Sequence, residues 1–432
     1  MKKHSYIGLD VHKESISIAV AEAGRRGEVR EQGSVGGSLI ALERALRKLK
    51  QPGVELHCVY EAGPCGYVIY RRLKQLGIDC EVVAPSLIPR KPGERVKTNR
   101  RDAIKLARCH RAGELTAVHV PDARDEAIRD LCRARTDAVR DQRRSRQQLK
   151  ALLLRLGHHY TGKSSWTEAH LRYLRELELS HPAQRVVLEE YLLAVSQAGA
   201  RVARLNGQIE LHVATWRMKP AVEALMALRG IQIIAATVLL AELGDLSRFA
   251  HPRQLMAYLG LVSSEQSTGN SRHQGAITKC GNQHARWFLI ECAQHYALPP
   301  KVSRELSRRQ EDQPRWVKEL SWKAQTRLYR RFWMLLQRGL CRQKAVVAVA
   351  RELCGFIWAL LRDLPPLPPL DSYPNSMGNH GSSHPLLRET VINPAFLTQT
   401  TAKNKTTKPL PLITNTNTPH PTAAAAASRS TA

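Results

Sequence analysis

No stretch of the chain approaches the run of about 18 apolar residues that a membrane-spanning helix needs, and its first residues enter a strand-like pattern rather than a leader. A membrane protein and a secreted precursor are both disfavoured. The nine cysteines are odd in number and scattered, with no C-x-x-C pair. That spacing argues against a disulfide framework and reads as reduced thiols in a cytosolic protein. Acidic residues are in short supply, with 38 Asp and Glu against 66 Lys and Arg, a net charge of +28. An excess of that size selects a polyanionic partner, nucleic acid first. The 432 residues, 43% of them hydrophobic, leave room for two or three domains with adequate cores.

Where acids are few, their positions are informative. Tyr6 to Leu9 is an apolar run ending in Asp10, and Ser15 to Val20 alternates polar with apolar at period 2, so Asp10 is expected to close a buried first strand paired with a second. A third strand is expected over 28–35 and a helix over 39–49, with apolar residues at 39, 42, 46 and 49. The run from Leu56 to Tyr60 then reads as a strand delivering Glu61, broken by Gly63-Pro64. A helix near 67–76 and a strand over 80–83 follow, and Asp102 falls in the first turn of a helix over 102–110. The order β-β-β-α-β-α-β-α is that of a ribonuclease-H-like domain, in which such acids converge. Three carboxylates at one point suit two Mg²⁺ ions roughly 4 Å apart, which stabilise the attacking and leaving oxygens of a phosphodiester displacement. For any one acid a solvated strand end is the plainer reading; the coincidence of all three favours a site.

Cations surround the third acid. Lys91, Arg95, Lys97, Arg100, Arg101, Lys105 and Arg108 flank Asp102, as a site for a phosphate backbone requires. Two long helices are expected next, over 125–156 and 183–216, forming a weak coiled-coil arm because Arg135, Gln142 and Ser145 interrupt the first apolar seam. Arg143 and Arg144 either track nucleic acid or form a solvent face. The segment 224–243 then reads as helix, tight turn at Gly230, helix, which resembles a helix-hairpin-helix element but has Gln232 where a second glycine is usual. A polar stretch from Ser263 to Asn270 reads as a loop, and its Ser267-Thr268-Gly269 tip, near Arg272, Lys279 and Arg286, offers a hydroxyl to a phosphate.

Six blocks carry a resemblance: YIGLDVHK from Tyr6, YEAGPCGY from Tyr60, RVKTNRRDA from Arg95, MAYLGLVSSEQSTG from Met256, GAITKCGNQHAR from Gly275 and AVVAVARELCGFIWAL from Ala345. Their order and spacing resemble the transposases of insertion-sequence family 110, the DEDD-type serine recombinases, across roughly residues 5–362. The resemblance implies a RuvC-like α/β domain (1–122), a helical coiled-coil arm (123–217) and a mainly α transposase domain (218–362), while the Pro-, Asn-, Thr- and Ser-rich sequence over 363–432 lies outside it and reads as a disordered low-complexity tail. It also implies that Asp10, Glu61 and Asp102 hold Mg²⁺ with help from Asn99, and that Ser267 attacks DNA. Lys97, Arg100, Arg101, Arg143, Arg144, Arg272, Lys279 and Arg286 would contact nucleic acid. Donor and target DNA, a structured guide RNA and a homo-oligomer, dimer or tetramer, are the implied partners.

The family usually has Asp where this chain has Asn99, which brings a carbonyl ligand but no charge. Three readings compete with the recombinase. A RuvC-type nuclease would use water in place of Ser267, a catalytically impaired relative would only bind nucleic acid, and a sugar-kinase-like ATPase would need a second glycine-rich phosphate loop that is missing.

Overall fold

The computed structural model describes residues 3–24, 26–89, 93, 98–269 and 271–365. Lys97, Lys91, Arg95 and nearly all of the expected tail lie outside them. The first region has β1 (Lys3–Val11), β2 (Ser15–Glu22), β3 (Val29–Gly36), α1 (Leu39–Leu49), β4 (Val54–Glu61), α2 (Val68–Gln75), β5 (Asp79–Val83) and α3 (Asn99–Arg111). The strands form one sheet in the order β3-β2-β1-β4-β5. β1, β4 and β5 run parallel, and β2 is antiparallel to both its neighbours.

Side chains alternate across a strand, so this sheet has two distinct faces. Ile7, Leu9, Cys58, Tyr60 and Val82 face one way and pack with Leu42 and Leu46 of α1 and Ile69 and Leu73 of α2. The opposite face carries small residues: Ala19 and Ala21 pack on Ala103 and Ala107 of α3, and Val59 and Val83 on Leu106. Gly8 permits that approach, since a Cβ there would lie 2.1 Å from the Ala103 carbonyl and 2.5 Å from the Ala107 amide. α3 begins three residues before the sequence pattern predicts, because the Thr98 hydroxyl accepts from the Arg101 amide as an N-cap.

Two 33-residue helices follow, α4 (Ala123–Arg155) and α6 (Pro182–Ala214). Arg135 bonds Asn206 and Arg201 bonds Asp141, so the pair is antiparallel, with polar links where the apolar seam is interrupted. Between them α5 (Glu168–Glu176), absent from the sequence reading, buries Leu174 against Leu149, Leu153 and Leu188 at the far end of the pair. The other end closes on Asp125, which is 3% exposed and accepts from the Trp216 indole and the Arg217 guanidinium.

The last region contains α7 (Lys219–Met226), α8 (Ile233–Leu243), α9 (Pro252–Tyr258), the hairpin β6 (Ser263–Thr268) and β7 (Ser271–Ile277), α10 (Gln283–Ala293), α11 (Arg304–Arg309), α12 (Arg315–Gln337) and α13 (Arg342–Arg362). Apart from the hairpin it is helical, around a core that includes Leu239, Leu289, Phe332 and Leu353. The α7–α8 turn is packed on one side, with Ile231 fully covered and a Cβ on Gly230 lying 2.7 Å from the Cys292 carbonyl, while Gln232 is exposed. The close approach at Gly230 gives the turn a structural role. Among the described residues no helix is long and apolar enough to cross a membrane.

Candidate active site

Asp10 is the penultimate residue of β1 and Glu61 the last of the adjacent parallel strand β4, and the register pairs Leu9 with Tyr60 immediately before them. Gly8 and Asp10 share the α3 face of β1, and Val59 and Glu61 share that face of β4. On α3, Asp102 lies one turn before Leu106, which packs on Val59, and Asn99 lies one turn before Ala103, which packs on Gly8. The strand alternation and the helical repeat therefore bring Asp10, Glu61, Asp102 and Asn99 to one opening at the carboxyl ends of β1 and β4. Among the described residues the three carboxylates do not close to the 4.8 Å mutual spacing of a single-ion cage. An open oxygen-donor set of this kind suits ions shared with substrate phosphates, because Mg²⁺ keeps waters and takes only a few protein carboxylates.

Two neighbours of Asp10 were not singled out from sequence. His12 Nε2 lies 3.1 Å from the Asp10 carboxylate. Ser17, paired with Asp10 across β1 and β2, is 3% exposed and shares a 2.8 Å hydroxyl bond with Ser34. Replacing Gly8 by Ala tests the packing that holds this opening. A methyl group 2.1 Å from a helix carbonyl must push α3 off the sheet. The expected cost is about 3 kcal/mol of stability and roughly 100-fold in activity with every acid intact; thermal unfolding and a strand-transfer assay measure the two.

The expected loop around Ser267 is a two-stranded hairpin. Thr268 pairs with Ser271, leaving a two-residue connection that starts at Gly269 with φ +55°. Glu265 and Ser267 share one face with their cross-strand partners Gln274 and Arg272. Ser267 Oγ donates to Glu265 Oε1 at 2.9 Å, while Arg272 and Gln274 donate to the same carboxylate at 3.0 to 3.1 Å. The bonds from Arg272, then Gln274 and Ser267, hold the Glu265 carboxyl down to about 2. Glu265 is therefore a poor proton acceptor at neutral pH, and it orients the hydroxyl. Among the described residues the two strands pack mainly on each other, and neither packs closely on the sheet that carries the acids.

The base of the hairpin is interlocked. A Cβ on Gly260 would lie 2.3 Å from the Cys280 carbonyl, and one on Gly281 1.9 Å from that of Tyr258. Arg286 is 8% exposed and donates to the Leu259 and Cys280 carbonyls at 2.9 and 3.1 Å. Its expected phosphate contact gives way to this clamp, because the guanidinium is turned inward. Lys279 is exposed at φ +57°, a left-handed conformation. Arg101, Arg143 and Arg144 are exposed, and Arg100 is paired with Glu31 at 2.5 Å. A groove of 1020 Å³ beside β7 adds Arg253, Lys344 and Arg351 to the cations near the hairpin.

Glu242 of α8 joins three elements behind the hairpin. Its side chain is fully buried and accepts from Arg133 Nε and Nη2 of α4 at 2.8 and 3.0 Å, and from Asn282 Nδ2 at 2.7 Å. His284 Nδ1 lies 2.9 Å from it, and His284 Nε2 lies 2.8 Å from the Thr136 hydroxyl. Burial pushes the Glu242 carboxyl up, but the bonds from His284, Arg133 and Asn282 outweigh it and bring it to about 2. An unfolded glutamate titrates near 4.5, so this contribution is complete above that pH and is lost as pH falls from about 4.5 toward 2. Glu242→Gln is expected to cost about 3 kcal/mol at neutral pH and to flatten the acid limb of stability; urea unfolding at several pH values reads both.

Known proteins are similar to this sequence. A family model described as Transposase, of the DEDD type, matches residues 7–157, and one described as Transposase IS116/IS110/IS902 family matches residues 222–306. A putative transposase, y4qE, of Sinorhizobium fredii is 48% identical over 361 residues, covering 84% of this chain and 89% of that protein. The transposase for insertion sequence element IS1533 of Leptospira borgpetersenii is 31% identical over 77% of this chain and 96% of its own length. A probable family 20 transposase of Pseudomonas aeruginosa is 28% identical over 70% and 84%.

Proposed function

Since the chain belongs to the IS116/IS110/IS902 family of transposases, enzymes that cut and rejoin DNA, we propose that it moves its insertion sequence through a covalent serine intermediate at a site shared between copies of the chain. The observation that carries this reading is the separation of two incomplete half-sites. Asp10 and Glu61 lie at the carboxyl ends of β1 and β4, and Asp102 lies in the first turn of α3, which packs on that face of the sheet. The nucleophile candidate stands on an exposed hairpin that does not pack on that sheet. A homo-oligomer would supply one half to the other.

In this mechanism Ser267 Oγ attacks a backbone phosphorus. A phosphoserine bond forms as one P–O bond breaks; the Ser267 proton passes to solvent, and the leaving deoxyribose oxygen takes a proton from solvent to become a free hydroxyl. Attack by the hydroxyl of another strand reverses the step and rejoins DNA without an external energy source. Asp10, Glu61, Asp102 and the Asn99 carbonyl would hold Mg²⁺, which supplies charge stabilisation at the attacking and leaving oxygens. Glu265 and Arg272 hold the Ser267 hydroxyl in place until DNA arrives. Arg101, Arg143, Arg144, Lys279 and the cations beside β7 would bind backbones without regard to sequence. Choice of donor and target then falls to a structured RNA through base pairing. The test is an incubation of the full chain with donor DNA, target DNA, Mg²⁺ and RNA transcribed from the flanks of its gene. The proposal predicts joined products that require the RNA; cut strands alone would support a simple nuclease.

A further inference from the structure

At the opposite end of the same sheet face, where β1 and β4 begin, lies a second group of chemically able side chains. His4, Glu55 and His57 each offer one ligand atom, and these atoms all lie within 4.8 Å of one another. His4 pairs with Glu55 and Tyr6 with His57 in the parallel register, so the group is fixed by strand alternation rather than by loops. His4 Nδ1 lies 3.0 Å from His57 Nε2 and 3.6 Å from Glu55 Oε2. These separations are close to those between neighbouring ligands of a tetrahedral ion whose bonds are about 2.0–2.1 Å.

The surroundings favour a cation over a simple contact. His57 Nδ1 lies 3.0 Å from Asp79 Oδ2, and Asp79 Oδ1 is held at 2.5 Å by Lys74. The Asp79 carboxylate sits on the Nδ1 side of the His57 ring, which turns Nε2 toward His4. The Tyr6 ring stacks on His57 at 5.4 Å and braces its plane. A histidine whose second nitrogen donates to a carboxylate, with the first aimed at other donors, is the arrangement that orients metal-bound imidazole.

We propose that His4, Glu55 and His57 bind one zinc-class divalent ion, with Asp79 orienting His57 and a fourth position left to water. Two imidazoles and a carboxylate select zinc-like ions, whereas the all-oxygen opening at the other end of the sheet selects Mg²⁺. The ion would tie β1 to β4, and through Asp79 to β5, and so fix the strand that ends in Asp10.

Tag-free full-length chain, freed of metal by a chelator, is titrated with Zn²⁺ and with Co²⁺. The expected result is one tight equivalent of Zn²⁺, a raised melting temperature, and a cobalt spectrum of tetrahedral nitrogen and oxygen ligation. His4→Gln and His57→Gln should abolish the site. Asp79→Asn should weaken it roughly 10- to 100-fold while the far-UV spectrum stays native, and Asp10→Asn should leave it intact. Absence of tight binding to the folded wild type, or equal binding by His57→Gln, would overturn the proposal, leaving a His4-to-His57 hydrogen bond. A thiolate-to-cobalt band would do the same by placing the ion on a cysteine.

Discussion

Ser267→Ala is expected to eliminate strand transfer, by roughly 10⁴- to 10⁶-fold, the scale seen when a covalent nucleophile is removed. The substitution should leave the fold unchanged, because Ser267 is exposed and its hydroxyl bonds only to Glu265 among the described residues. The sharpest readout is a denaturant-stable adduct between the protein and end-labelled DNA, present in the wild type and absent in the variant. With Glu265 held down to about 2, the hydroxyl proton cannot pass efficiently to that carboxylate at neutral pH. The isolated hairpin is therefore a positioned but unactivated nucleophile, and no adduct should form without the acids. Cleavage that persists in Ser267→Ala would mean water attacks and the acids form a complete nuclease.

Asp10→Asn should cost about 4 kcal/mol of transition-state stabilisation, roughly 10³-fold in rate, with added Mg²⁺ unable to restore it. Asp10 is the acid with the most fixed surroundings: its strand is held by β2 and β4, its face is set by Gly8, and His12 and Ser17 adjoin it. A neutral amide there keeps the shape and removes the charge. Asn99→Asp is the converse change, adding a carboxylate at an exposed first-turn position of α3, and activity at limiting Mg²⁺ should rise. A Mg²⁺ titration of cleavage by both variants and the wild type measures these effects. Equal activity of Asp10→Asn and wild type would remove the acids from the mechanism.

What could be read from sequence follows a physical divide. α1 lies at the predicted 39–49 because its apolar spacing and Ser38 cap are local signals. The strands ending in Asp10 and Glu61 were legible because apolar runs end in acids, but their common face depends on register and on Gly8, which are tertiary facts. The β6–β7 hairpin reads as a loop in sequence because every residue of β6 is exposed and no apolar alternation marks it. Arg286 reads as a phosphate ligand in sequence because charge is visible there and burial is not. Glu242 hides in the apolar helix IIAATVLLAEL, and its partners come from α4 and α10. His4 and His57 are 53 residues apart and meet only because β1 and β4 pair in parallel.

The most direct test of a shared site is a mixing experiment. Asp10→Asn and Ser267→Ala chains, each inactive alone, are combined under conditions that allow subunits to exchange, and strand transfer is assayed. If one copy supplies the acids and another supplies Ser267, the mixture regains activity because some sites carry two intact halves. A mixture as inactive as either parent, with exchange verified, would show that each chain must provide both halves itself and would contradict the account.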